Sequence, residues 1–231
     1  MNGLKGKTLL VFGDSIMYGS GNGGFGVGEY ISERFGMHLK KYCVGGARVG
    51  FDRDKNWIVE QIRRAVSDKV KADFIIFDGF TNDCNKTDGN DCDVPLGDYA
   101  DVKESEDIFS VKSQNTTFTQ CFVIIVKALK KYFPQSGILF VRPHKMGRRD
   151  AVLQRIYGER AIEICNNFSI AVADIYTESN LDTFDEFQRD NYTFDSYGWG
   201  RGDCTHPNAL GYEEKYLPVI ERELKKIGGE K

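Results

Sequence analysis

Five short apolar runs, separated by longer stretches with helical periodicity, constrain this chain more than any other feature. The runs are TLLVF (8–12), LKKYCV (39–44), FIIF (74–77), ILFV (138–141) and IAVAD (170–174). They read as buried parallel strands. Between and after them lie GEYISERF (28–35), NWIVEQIRRAVSD (56–68), TFTQCFVIIVKALKKYF (117–133), RRDAVLQRIYGERAIEICNNF (148–168) and LGYEEKYLPVIERELKKI (210–227). In the second of these segments, apolar residues stand at 57, 58, 62, 65 and 66, along one face of a helix. Alternating strands and helices predict a parallel sheet covered on both faces. Right-handed crossovers then make it an α/β three-layer sandwich, flavodoxin-like and doubly wound, with five parallel strands. A chain of 231 residues suits one such domain, spanning 1–231.

Composition narrows the class. The formal net charge of -3 and apolar content of 41% fit a globular protein, and they argue against wholesale binding of nucleic acid or membrane. No apolar run approaches the ~20 residues of a membrane span. The N-terminal apolar stretch is about 5 residues, too short for the core of a signal peptide, which predicts a cytoplasmic chain. Six cysteines, at 43, 84, 92, 121, 165 and 204, form no C-x-x-C pair and match no zinc spacing. Free thiols are therefore expected, with Cys43 and Cys204 as possible neighbours. Oligomeric state is not legible.

One segment breaks the rhythm. Residues 83–107 carry nine acidic and two basic side chains with little apolar content. The plain reading is a solvated acidic insertion; a functional cover and a calcium site in DGNDCD (88–93) are the sharper ones, although Cys92 stands where the calcium pattern wants an acid.

In a doubly wound sheet, ligands gather at the carboxyl ends of the strands. Gly13-Asp14-Ser15 follows the first run, Gly45-Gly46-Ala47 the second and Asp78-Gly79-Phe80-Thr81-Asn82-Asp83 the third. Arg142-Pro143-His144-Lys145 follows the fourth, and Asp203-Cys204-Thr205-His206-Pro207 precedes the last helix. A serine hydroxyl needs a base within hydrogen-bond reach to act as a nucleophile. Histidine titrates near neutrality and suits that task. A carboxylate on its other nitrogen fixes the tautomer. Backbone amides and an asparagine side chain can hold the oxyanion of an acyl-transfer transition state, each donor worth roughly 3–4 kcal/mol. Taken singly, each element has an ordinary structural reading: a turn, a helix cap or a packed histidine. Their joint arrival at one rim is what singles them out.

These residues resemble the SGNH hydrolases, also called the GDSL esterase/lipase family. VFGDSIMYG is similar to the block that carries the nucleophile, at Ser15. YCVGGARVG resembles the block with the oxyanion glycine, at Gly46, with Gly45 in reserve. DGFTND resembles the block with the oxyanion asparagine, at Asn82. DCTHPNALGY resembles the block that supplies Asp203 and His206. The resemblance runs from about residue 7 to 225, and 94–141 is similar to a bacterial branch. It implies a serine esterase with Ser15, Asp203 and His206 as its triad, an oxyanion hole of Ser15, Gly46 and Asn82, and no metal or cofactor. Two departures are visible. Ile follows G-D-S instead of Leu, and the third block reads G-F-T-N-D, so that Phe80 is expected to line and narrow the pocket. Asp14 is expected to bond loop amides, leaving Asp203 as the triad acid. No glycine stands two residues after Ser15, which separates this loop from the G-x-S-x-G elbow.

The substrate is read more coarsely. No large apolar lid is evident, so short acyl esters, acetyl groups on a carbohydrate or small alcohol, fit better than long chains. Tyr197, Trp199 and Arg201, in NYTFDSYGWGRGD (191–203), are candidates for the leaving-group side. RPHKMGRRD (142–150) holds four basic residues, open between a solvated helix start and contact with an anionic group. Lysophospholipase or thioesterase activity, a catalytically inert flavodoxin-like binding module and a flavin- or phosphate-binding domain remain as alternatives.

Overall fold

The computed structural model describes residues 3–50, 57–85, 94–102, 107–111 and 116–229. Its elements run β1 (Thr8–Phe12), α1 (Ser15–Tyr18), α2 (Val27–Phe35), β2 (His38–Lys41), α3 (Ile58–Ser67), β3 (Phe74–Phe77), α4 (Phe118–Tyr132) and β4 (Gly137–Arg142). They continue with α5 (Ala151–Asn167), β5 (Ala171–Asp174), α6 (Ile175–Glu178), α7 (Glu186–Tyr192), α8 (Ala209–Gly211), a π turn (Tyr212–Tyr216) and α9 (Leu217–Ile227). The five strands form one parallel sheet in the order β2-β1-β3-β4-β5. The order reverses beside β1, so the loops after β1 and β3 leave the sheet at a switch point, where α/β sheets form their clefts.

Strand side chains alternate between two cores. Leu10, Phe12, Ile75, Phe77 and Phe140 pack with α3, α4 and α5. Leu9, Val11, Ile76, Leu139, Val141 and Ala173 pack with α1, α2 and α9. Helix α4 starts at a capping box: Thr117 Oγ1 accepts the Gln120 N–H at 3.2 Å, and Gln120 Oε1 accepts the Thr117 N–H at 3.4 Å. Asp150 caps α5 by accepting the amides of Val152 and Leu153.

Three expectations change. The second run is not a buried strand: β2 is a short edge strand, with His38 and Lys40 exposed, that ends at Lys41. Charged side chains on an edge discourage pairing with other chains. The C-terminal helix is not continuous. Pro218 lacks the N–H that an α-helix would use there, and a π turn stands just before it. The insertion is more than a solvated loop. Within 83–107, Cys84 and Val94 are buried in the first core and Leu96, Tyr99 and Val102 pack against it; just past the segment, Arg63 donates to the carbonyls of the buried Ile108 and Val111. DGNDCD (88–93), with Cys92, lies outside the described residues. The other five cysteines are free thiols, four of them buried. Among the described residues, no helix is long and apolar enough to cross a membrane.

Gln61 is the polar exception on the buried face of α3. Its Oε1 accepts the Gly13 N–H and its Nε2 donates to the Gly13 carbonyl, both at 2.9 Å. The Gln61→Leu variant leaves the buried Gly13 amide without a partner, so it should lose about 1–3 kcal/mol of stability in urea unfolding. A change below about 0.5 kcal/mol, the range of a bland surface substitution, would show that Gln61 does not hold this turn.

Candidate active site

Ser15 opens α1 directly after β1. Asp14 is the N-cap, its Oδ1 accepting the Ile16 N–H at 2.8 Å. The Asp14 N–H in turn donates to Asp78 Oδ1, at the end of β3, at 3.0 Å. Gly13 makes that approach possible: its φ is 144°, and a Cβ there would lie 2.1 Å from Asp78 Oδ1.

Ser15 Oγ lies 2.9 Å from His206 Nε2, and His206 Nδ1 lies 2.5 Å from Asp203 Oδ2. The two ends of this line are 188 residues apart in sequence (203 minus 15). Asp203 Oδ1 accepts the backbone N–H groups of Thr205 and His206, each at 2.9 Å. Burial works to raise the Asp203 pKa, but the bonds from the His206 ring and these amides outweigh it and hold the carboxyl below its usual value. The turn bends at Cys204, whose φ of 67° is uncommon for a residue with a side chain. The sequence-predicted trio is therefore assembled. The arrangement lets an imidazole take a serine proton while a carboxylate steadies the imidazolium.

Asn82 Nδ2 donates to the Ala47 carbonyl at 2.9 Å and to Asp14 Oδ2 at 3.3 Å, beside the serine. Among the described residues, no protein group accepts the N–H of Ser15 or of Gly46. Gly46 sits in the exposed turn after β2, with φ 77°. The Asp14 carboxylate, expected to bond loop amides, accepts one backbone amide, that of Ile16 in α1, and the Asn82 side chain. Phe80 does not line an opening: it is 1% exposed and packed in the first core, at a backbone φ of 124°.

A cavity of about 620 Å³ opens on the Asp203 side. Tyr197, Trp199 and Arg201 line it, together with Arg148, Phe184 and Arg189. The rings of Tyr197 and Trp199 stack with centroids 4.8 Å apart, and both are largely exposed. The basic segment after β4 divides. Arg142 is buried against Asp174 and Lys145 faces Asp182. Arg149 donates to the Thr81 carbonyl at 3.0 Å, and Arg148 turns to the cavity. His144 is fully buried on the Tyr216 hydroxyl at 2.7 Å, and burial pushes its pKa down to about 4.

Three supports had little or no sequence signal. Gly21 packs on the His206 turn: a Cβ there would lie 2.8 Å from His206 Cβ. The Tyr212 hydroxyl donates to the Ile16 carbonyl at 2.6 Å, tying the π turn to α1. Gln61 clamps Gly13, and a polar residue within an apolar helix face was its only trace.

The GDSL-like lipase/acylhydrolase family model matches residues 9–215. The chain belongs to that family and is a carboxylic ester hydrolase. Its fold is similar to that of a Lactobacillus plantarum protein at 18% identity and TM-score 0.69, covering 96% of each chain. It is also similar to the lipase/acylhydrolase from Enterococcus faecalis (14% identity, TM-score 0.57, 95% of this chain and 96% of that one). A third similar structure is Axe2, an acetylxylan esterase from Geobacillus stearothermophilus (16% identity, TM-score 0.56, 100% and 98%). Comparison with curated proteins finds no match.

Asp83 joins the third strand's loop to the second's: its carboxylate accepts the amides of Val49 at 3.0 Å and Gly50 at 2.7 Å. Burial raises its pKa to about 7, with these amides opposing. The folded state then holds a proton that the unfolded chain has lost, so this stability is full below pH ~3.9 and is lost as pH rises through about 7. His144 has the opposite sign, its contribution being lost as pH falls from about 6.5 toward about 4. The test is therefore a difference. The stability of Asp83→Asn relative to wild type should rise between pH 5 and 8 by up to about 1.4 kcal/mol per pH unit below pH 7. Parallel pH curves of urea midpoints would contradict it.

Proposed function

We propose that this chain is a serine esterase for short acyl esters, acetyl groups on a carbohydrate or a small alcohol. The observation that carries the reading is the line Ser15–His206–Asp203, at 2.9 and 2.5 Å. Ser15 attacks the ester carbonyl while His206 takes its proton, and Asp203 steadies the imidazolium. The N–H groups of Ser15 and Gly46 and the Asn82 carboxamide hold the oxyanion. Asn82 does so by giving up its longer bond, the 3.3 Å contact with Asp14. The protonated His206 releases the alcohol, and water then repeats the sequence on the acyl-serine.

The substrate reading has its own support. The cavity carries a stacked aromatic pair suited to a ring face, and most of its other lining is polar or charged, unlike a long acyl groove. The similar Axe2 structure is that of an acetylxylan esterase, which agrees with acetyl transfer from a sugar.

Hydrolysis of p-nitrophenyl acetate, butyrate and octanoate tests both halves. Wild type should prefer acetate, and Ser15→Ala should fall to background. Octanoate as the best substrate would overturn the short-acyl reading, and undiminished Ser15→Ala activity would overturn the nucleophile. In the same assay Asn82→Ala should lose about 10²–10³ in kcat with a smaller change in KM. An unchanged kcat would remove Asn82 from the oxyanion hole.

A further inference from the structure

The cavity beside Asp203 carries a charge pattern that a neutral sugar does not need. Its carboxylates are already engaged. Asp203 is filled by His206 and two amides. Asp195 accepts the N–H groups of Tyr197 at 3.1 Å and Gly200 at 2.6 Å, and this ties down the loop that presents the aromatic pair. Arg189 is engaged as well, in a two-point pair with Asp190 at 2.7 and 3.0 Å. Arg148 and Arg201 are different. Both line the cavity, both are exposed, and neither makes a hydrogen bond or ion pair with a described residue. They come from separate segments, one after β4 and one just before Asp203. They nevertheless meet on the wall of one cavity, which Asp203 and Cys204 also line.

Two guanidiniums with no hydrogen-bonded or ion-paired partner among the described residues, Arg201 feeling Asp190 only at longer range, run against the character of the chain, which carries 34 acidic side chains to 31 basic. An anion bound in the cavity is attracted by both. A guanidinium offers a planar fork of donors that fits a carboxylate or a phosphate in two-point contact. The stacked Tyr197–Trp199 pair leaves outer ring faces for an apolar partner such as the face of a pyranose. A volume of about 620 Å³ is ample for a sugar with a charged substituent.

We propose that this cavity is a subsite for an acidic sugar: Tyr197 and Trp199 take the ring, and Arg148 and Arg201 bind an anionic group, a carboxylate before a phosphate, on the alcohol half of the ester. The inference rests on the esterase reading for its place in the reaction. The subsite itself is a binding claim and is testable without turnover.

The decisive comparison uses three monoacetylated sugars of matched acetyl position: methyl glucoside, methyl glucuronide and glucose 6-phosphate. Wild type should favour a charged sugar over the neutral one by about tenfold in kcat/KM, mostly through KM, as expected for charge-assisted bonds. The ratio of charged to neutral should fall in Arg148→Gln and in Arg201→Gln, and approach one in the double variant. It should also shrink in about 0.5 M salt, where screening acts within a few ångströms. Preference for the uronide identifies a carboxylate substrate and preference for the phosphate a phosphorylated one; either supports the subsite. A wild-type ratio near one, or variants that lower both activities alike, overturns it. If wild type shows no Ser15-dependent hydrolysis of p-nitrophenyl acetate, the esterase reading fails by itself. Calorimetric titration of Ser15→Ala with unacetylated methyl glucuronide and methyl glucoside then decides the subsite. Tighter uronide binding that disappears on adding Arg148→Gln and Arg201→Gln supports it, and equal binding of the two sugars rejects it.

Discussion

The Asp78 carboxylate, reaching from the end of β3 to the Asp14 amide after β1, sets the geometry on which the site depends. β1 and β3 are neighbours in the sheet, with Phe12 opposite Phe77, so their loops start side by side. Gly13 leaves room for the carboxylate, and Gln61 satisfies both polar groups of the Gly13 backbone. From that turn Asp14 caps α1 with one oxygen and receives Asn82 on the other. The serine and the asparagine thus take their relative position from sheet register. The arrangement has an electrostatic cost. Burial and the nearby Asp14 charge push the Asp78 pKa well above the usual carboxylate range, and burial raises Asp14 as well. Hydrogen bonds from the Asp14 and Ile16 amides offset part of that cost.

The imidazole is positioned from the other end of the chain. Its turn precedes α8, and the π turn that follows sends the Tyr212 hydroxyl to the Ile16 carbonyl. Tyr216, one turn on, meets the buried His144 beyond β4. Gly21 then allows the loop after α1 to lie against the His206 turn without a gap. The 2.9 Å contact between Ser15 and His206 is therefore a consequence of how the C-terminal helix docks on the second core, and loosening that docking should reach the chemistry before it unfolds the sheet.

What was legible in the sequence follows from how local each signal is. β1 and β3 appear at their sequence-read bounds because a buried strand is a contiguous apolar run with a sharp end. Ser15, Asn82, Asp203 and His206 were readable because each sits in a short block just after a strand or just before the last helix. β2 misled because LKK lies on the exposed edge of the sheet: the regular strand ends at Lys41, although the Tyr42 and Val44 amides still donate to the Val11 and Gly13 carbonyls and Cys43 is buried. Phe80 misled because its burial comes from packing against residues remote in sequence, which a local motif does not report. Gln61, Gly21 and Tyr212 act through partners 48, 185 and 196 positions away (61 minus 13, 206 minus 21, 212 minus 16), and no local pattern encodes such a partner.

The site divides into two parts held by different physics. The reacting part rests on buried hydrogen bonds between strand ends, where each donor lost leaves a partner stranded in a low-dielectric interior. The cavity part rests on the segment from α7 to Asp203, where Asp195 and Asp190 organise exposed loops through backbone amides and one arginine. Substitutions in the first part act on bond making, since their effects spread through shared partners. Substitutions of Tyr197, Trp199 or Arg201 remove no buried bond and alter only the cavity wall. Asp203 is the hinge between the two. It carries the His206 imidazole on one side and borders the cavity on the other, so a group bound there lies one residue's width from the imidazole that meets Ser15. Under the proposed subsite, a substituent seated in the cavity would select which ester of an acylated sugar reaches Ser15, and regioselectivity would follow from the spacing between the anchor and the serine.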